Sequence, residues 1–204
     1  IKVHVIDEHP LFQNWDDRPA LNCSQWNAKG KELDDKNFNQ KLSDIRSFMK
    51  EKNVDAHLIS NLEAIARTLN IQAYDVPNNL LGISYLLVEE ENCTVFAQRD
   101  AISTKLREHF GTYVGFEDYH ALETTLPTLV EGKKVLIDPQ ELTLWVKRLL
   151  CNSSIVMGKS PCAEIIRKKS TRELDYFQEA HRIDGIALSK AFYELFQTVK
   201  TKKI

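Results

Sequence analysis

The sequence holds only seven glycines in 204 residues, none set as G-x-G-x-x-G or as a P-loop, which leaves little material for a phosphate cradle. Nucleophile motifs are also missing, since neither G-x-S-x-G nor a supported S-x-x-K set occurs. No apolar run reaches the roughly 18 to 20 residues that span a bilayer, and the opening IKVHVIDEHP lacks the basic and apolar regions of a signal peptide. A membrane partner is therefore not expected. The formal net charge is −2, and the basic residues form no long block, the terminal Lys200, Lys202 and Lys203 group being short, so composition gives no electrostatic case for nucleic acid. Cys23, Cys93, Cys151 and Cys162 make no C-x-x-C, so a zinc knuckle or redox pair lacks support and buried free thiols in a reducing cytoplasm are expected. Asn22-Cys-Ser, Asn92-Cys-Thr and Asn152-Ser-Ser fit the glycosylation pattern, though about one or two such matches arise by chance in a chain this rich in Asn, Ser and Thr.

What is present suits one domain with appendages: 43% hydrophobic and 27% charged residues. The end of the chain, from Ser170 to about Val199, reads as a long helix. Ser170 three residues before Glu173 is a capping box, in which each side chain bonds the other's backbone N–H. Phe177, Ala180, Ile183, Ala187, Ala191, Leu195 and Val199 recur at helical spacing, and Leu188, Phe192 and Phe196 widen the stripe beyond what a helix facing water needs. Such a helix needs a large covering surface, supplied by the preceding chain, another chain, or a missing portion of the protein.

Residues 1–38 carry no sustained period and read as a connector with one strand, Lys2 to Ile6; His4 and His9 there are read as surface residues. Gln40 to Lys52 is an amphipathic helix with Leu42, Ile45, Phe48 and Met49 inward, followed by a strand from Val54 to Ile59. Asn61 caps a helix with Leu62, Ile65, Ala66 and Leu69 inward. Gly82 to Glu89 and Cys93 to Gln98 form a hairpin across an acidic, solvated turn. Helices at Ile102 to Phe110, Tyr119 to Val130 and Gln140 to Leu150 alternate with strands at Tyr113 to Phe116, Lys134 to Ile137 and Ile155 to Met157. The Gln140 to Leu150 helix turns Leu142, Trp145, Val146 and Leu149 to one face, and Ser160 to Lys168 leads into the final helix. This pattern predicts an α/β layered domain with an antiparallel hairpin in a mixed sheet. Strand alternation puts His57 with Asp55 on one face and Ser60 on the other, which breaks any triad among them. His181 and Asp184, at i and i+3, are read as a local hydrogen bond.

Several segments carry a family resemblance. Glu173 followed by Ala180, His181, Asp184, Gly185, Ala187 and Leu188 resembles the first catalytic-domain helix of aminopeptidase P, the Xaa-Pro aminopeptidases of the pita-bread metallopeptidases. Ser160-Pro161 with Ile165 and Lys168 resembles the entry to that helix. Trp15-Asp-Asp-Arg-Pro19 resembles a W-x-D-R-P segment between domains, where an aromatic anchor pins irregular chain to a surface. NLEAIARTLNIQAYD resembles D-E-I-A-W-L-L-N-L-R-G-x-D, agreeing at Ile65, Ala66, Leu69, Asn70 and Asp75 but carrying Arg67 for Trp, Gln72 for Arg and Ala73 for Gly. Ser84-Tyr85 and Val-Leu-Ile-Asp138-Pro139 resemble further strand ends of the family.

The resemblance implies a creatinase N-terminal-like, ribonuclease H-like mixed sheet flanked by helices, with residues 1–38 as connector, 39–168 as the non-catalytic domain and 169–204 as the first helix of a truncated catalytic domain. It also implies substrate-mouth positions at Arg67, Gln72, Asp75 and Tyr85, a homodimer, and proline-containing peptides as substrates. The family's two divalent ions, manganese or zinc, are held by two aspartates, a histidine and two glutamates, activate a water and polarise the scissile carbonyl. None of the five has a matching position here, so no catalytic, metal or cofactor site is expected in this chain. The alternative is a stand-alone or degenerate creatinase-like interaction module without peptidase activity, favoured by Arg67, Gln72 and Ala73. A third reading is an unrelated small-molecule-binding α/β domain, which requires a pocket with convergent polar groups.

Overall fold

Alternation along the strands sorts their side chains into two cores, one on each face of a single sheet. The computed structural model describes residues 15–30 and 36–202. Its strands are β1 (Asn27–Ala28), β2 (Ala56–Ile59), β3 (Ile71–Gln72), β4 (Ser84–Glu89), β5 (Cys93–Ala97), β6 (Gly115–Asp118), β7 (Lys134–Ile137) and β8 (Ser154–Met157). Its helices are α1 (Phe38–Glu51), α2 (Leu62–Leu69), α3 (Thr104–Phe110), α4 (Leu122–Leu129), α5 (Leu144–Leu149), α6 (Cys162–Arg167) and α7 (Thr171–Lys202). Six strands form one sheet in the order β6-β5-β4-β2-β7-β8, while β1 and β3 pair separately. β4 is antiparallel to both β5 and β2, and β5–β6, β2–β7 and β7–β8 are parallel, which is the mixed sheet the sequence predicts.

Leu86, Val88, Val95, Ala97 and Leu136 face one core with the inward residues of α1, α2 and α3, among them Leu42, Ile45, Ile65, Leu69 and Phe110. Ala56, Leu58, Leu87, Phe96, Val135 and Ile137 face the other with Leu122 and Leu126 of α4 and Val146 of α5. Each side is a sheet face covered by helices, so a one-residue slip of any central strand would exchange the two sets.

Several boundaries depart from the sequence reading for local reasons. α1 begins before Gln40 because Asn37 and Gln40 form a capping box, Oδ1 of Asn37 accepting from the Gln40 N–H at 3.0 Å and Oε1 of Gln40 from the Asn37 N–H at 2.9 Å. The helix expected over 140–150 is only Leu144–Leu149: Asp138 holds residues 138–141 in a turn through the Gln140 and Glu141 N–H groups, and Thr143 caps the shortened helix. Trp145 is therefore 42% exposed, not inward, and donates to Glu123 at 3.2 Å. The acidic turn is less free than expected. Glu89 is buried and paired with Lys133, Glu90 meets Lys50 at 3.3 Å, and the Arg46 guanidinium donates to the Glu89, Glu91 and Asn92 carbonyls. Of the cysteines expected to be buried, Cys93 and Cys162 are, but Cys23 and Cys151 are exposed.

The connector also differs. Trp15 is exposed, so it is not the expected anchor; the buried aromatic is Trp26, whose backbone N–H donates to the Ala101 carbonyl just before β1 pairs with β3. The expected strand Lys2 to Ile6, with His4 and His9, lies outside the described residues.

Candidate functional site

The four residues read as substrate-mouth positions each occupy a different setting. Asp75 is buried, and its carboxylate accepts from the Ser24 N–H at 2.6 Å, the Ser24 hydroxyl at 2.7 Å, the Ile83 N–H at 2.9 Å and the Trp26 indole at 3.3 Å. Four hydrogen-bond donors compensate this charge, so Asp75 ties the connector to the loop before β4. Gln72 is half-buried in β3 opposite Asn27. Ala73, beside it, has no left-handed backbone, so alanine fits without strain. Tyr85 on β4 stacks on Tyr119 with ring centroids 5.8 Å apart, and burial first and then Tyr119 push its hydroxyl up to about 12. Among the described residues no hydrogen bond joins any two of these four.

Arg67 has the most directed geometry. The N-cap of α2 at Asn61 and the left-handed Asn70 at its end hold the helix so that Arg67 reaches Glu173: Nη1 to Oε1 at 3.0 Å and Nη2 to Oε2 at 3.1 Å. Nη2 also donates to the Lys168 carbonyl at 3.2 Å. Lys29 Nζ adds a third donor to Oε1 at 3.0 Å, and the Ser170 N–H a fourth to Oε2 at 3.0 Å. The Glu173 N–H returns a bond to the Ser170 hydroxyl at 3.1 Å, which completes the capping box that the sequence shows. Burial by itself would raise the Glu173 carboxyl, but Arg67, Ser170 and Lys29 outweigh it and hold the group near 2. Sequence reading missed Lys29 as a partner, because nothing local marks a contact across 144 residues.

His57, on β2, is fully buried. Its Nδ1 lies 3.1 Å from the Leu136 carbonyl and must donate there, so Nε2 accepts from the Ser160 hydroxyl at 2.9 Å. Ser160 Oγ in turn accepts from the Cys162 N–H at 3.2 Å, and the Ser160 N–H donates to Asp138 at 3.0 Å. Burial lowers the His57 ring to about 4. With hydroxyl and imidazole both buried, this network fastens the start of α6 under the sheet and offers no surface to a substrate. Ser60 points elsewhere and donates to the Glu141 carbonyl. The His181–Asp184 bond is not formed among the described residues, and His181 lies beside the Phe177 ring.

Two wider grooves lie among the described residues. One, of about 600 Å³, is walled by Lys50 paired with Glu90, Lys133 paired with Glu89, and Arg46, whose guanidinium is taken up by backbone carbonyls. The other, of about 500 Å³, lies between α1 and α6 over Ile45, Phe48, Pro161 and Ile165. Neither shows the convergent, unspent polar groups of a small-molecule site. Among the described residues no three His, Cys, Asp or Glu side chains gather to hold a metal ion, and no helix is long and apolar enough to cross a membrane.

From Leu174 to Thr201 every residue of α7 is exposed, including Phe177, Ile183, Leu188, Phe192, Leu195 and Phe196. The preceding chain therefore does not cover it. Residues 17–173 match the creatinase/prolidase N-terminal domain. The chain belongs to that family. The creatinase match ends at Glu173, the last buried residue among those described.

Relatives extend the likeness along α7. A Leptosphaeria maculans protein named "Probable Xaa-Pro aminopeptidase P" is 24% identical over 98% of this chain, and an Arthroderma gypseum protein of the same name is 26% identical over 92%. The chain spans only 34% and 31% of those two relatives. Among solved structures, an X-prolyl aminopeptidase from Caenorhabditis elegans, described as a cytosolic enzyme with a di-nuclear active site, superposes with a TM-score of 0.87 at 22% identity over 96% of this chain and 33% of that one. The Pyrococcus horikoshii prolidase gives 0.53 at 20% identity, over 76% of this chain and 43% of that one. These superpositions show that the creatinase-type fold is shared.

Proposed function

We propose that this creatinase-type domain is the non-catalytic part of a cytoplasmic, metal-dependent Xaa-Pro aminopeptidase, in which it covers the active-site mouth, limits substrates to short proline-containing peptides and contributes to a homodimer interface. The observation that carries this reading is α7: it aligns with relatives bearing that name and leaves the body with large apolar residues exposed. A helix with bulky apolar groups on several sides belongs inside a larger protein. Residues 1–38 then serve as connector, 39–168 as the accessory domain, and 169–204 as the first helix of the catalytic portion. On this reading Gln72, Asp75 and Arg67 would lie on the mouth side, with Asp75 and Arg67 supporting it structurally, whereas Tyr85 packs against the core on the opposite face of the sheet. The described residues do not fit a pair of divalent ions, so manganese or zinc would be held by residues of the catalytic portion.

The full-length product of the gene, supplied with manganese or zinc, should release the N-terminal residue from a peptide with proline second, whereas the 204-residue chain should not. A full-length protein that binds such peptides without cutting them would establish the interaction-module reading instead. Cleavage by the 204-residue chain would overturn the assignment of the chemistry to another portion.

The exposed face of α7 also predicts that the isolated chain self-associates with rising concentration in sedimentation velocity, because burying apolar area is worth roughly 25 cal/mol per Å². Phe192→Glu with Leu195→Glu should restore a monomer. A monomeric wild-type profile at high concentration would remove α7 as an association surface.

A further inference from the structure

Glu173 ends the body and begins a lever. Its two carboxylate oxygens offer about four acceptor sites, and four donors from three separate segments fill them: Lys29 from the connector, both ends of the Arg67 fork from α2, and the Ser170 N–H at the foot of α7. The three charged side chains are 17%, 16% and 9% exposed for Lys29, Arg67 and Glu173, so water screens them little. The segments they join are cross-tied as well. The Lys29 N–H donates to the Asn70 carbonyl at 2.7 Å, and Lys41 Nζ on α1 donates to the Arg67 carbonyl at 2.6 Å and to Asn70 Oδ1 at 2.5 Å.

From Leu174 to Thr201, the described residues of α7 beyond Glu173 are all exposed. Its direction is therefore set at its base. The helix has 32 residues, about 48 Å at 1.5 Å per residue, so a tilt of ~10° at the base moves the far end by roughly 8 Å. A displacement of that size matches about two residues of extended peptide, enough to disturb how a mouth between two domains seats its substrate.

We propose that Glu173, saturated by Arg67 and Lys29, is the pivot that sets how α7 leaves this domain, which makes Arg67 and Lys29 positioning residues for the peptidase site that the domain overhangs. The link to catalysis rests on the function proposed above; the pivot itself does not. A bidentate fork suits the task because it fixes orientation as well as distance, which a single ammonium does not.

The test places spin labels on the exposed native Cys151 and on Lys190→Cys, with Cys23→Ser, and measures the distance distribution by double electron–electron resonance. Wild-type protein should give one narrow distance. The Arg67→Ala/Lys29→Ala pair, and separately Glu173→Gln, should broaden it about twofold, as a loosened lever of this length requires. Glu173→Gln keeps a residue able to close the capping box, so it decides the matter if the double variant fails to fold. An unchanged width in Glu173→Gln overturns the pivot. In the full-length enzyme the same variants should raise KM for proline peptides several-fold with kcat nearly retained, and broadened distances with unchanged KM would overturn the link to the site. An inactive full-length protein would instead defeat the proposed function, and the label distances would still decide the pivot.

Discussion

Trp26→Ala is expected to lower the unfolding free energy by about 3–5 kcal/mol, the range for removing a large buried aromatic. Trp26 is 2% exposed within the larger core. Its ring lies where a Cβ on Gly82 would come within 2.3 Å, so the indole is seated directly on the Gly82 backbone. Its Nε1 also supplies one of the four donors to Asp75. Removing it opens a cavity and leaves a buried carboxylate short of a partner, and both effects act in the same direction. Guanidinium denaturation should show a lower midpoint with an unchanged slope. The companion change has the opposite physical origin. Gly82→Ala overpacks the same contact and should cost roughly 1–3 kcal/mol in the wild type but little in the Trp26→Ala background, where the space has been vacated. A Trp26→Ala midpoint close to the wild type would mean that the connector is not part of the folded body.

Lowering the pH from 7 to 4 should cost about 3 kcal/mol of stability through His57 alone, at ~1.4 kcal/mol per pH unit of displaced titration. Burial brings its folded value from 6.5 to about 4. A group depressed in this way stabilises the fold fully above its unfolded value and loses that contribution as pH falls toward the folded one. The loss should therefore run between about 6.5 and 4. His57→Gln, which keeps a side chain able to bond Leu136 or Ser160, should flatten this part of the midpoint-versus-pH curve. Glu173 acts lower down: its carboxyl falls from 4.5 to about 2 in the folded protein, so its contribution is present above 4.5 and fades between 4.5 and 2. Persistence of the upper slope in His57→Gln would assign it to another group.

Much of the fold was legible because it is written in local chemistry. The hairpin from Ser84 to Ala97, the Asn61 cap of α2, the strand Lys134–Ile137 and the Ser170–Glu173 box all follow from spacing or capping within a few residues. Boundaries failed where a polar side chain competed with a helical pattern, as Asp138 and Thr143 do ahead of α5. The two-residue pairing of β1 with β3 has no period to detect, and Trp15 and Trp26 look alike until one of them is buried.

By itself the sequence determined the alternation that divides the cores, the apolar excess of α7 and the likeness to creatinase-type domains, since period, capping and motif are properties of neighbouring residues. Only the tertiary structure decided that Arg67 and Lys29 converge on Glu173, that Asp75 serves Trp26 and Ser24, and that His57 is sealed against Ser160. Those contacts join residues tens to more than a hundred positions apart. Charge and burial at such sites are set by which segments the sheet brings together, and no local pattern encodes that.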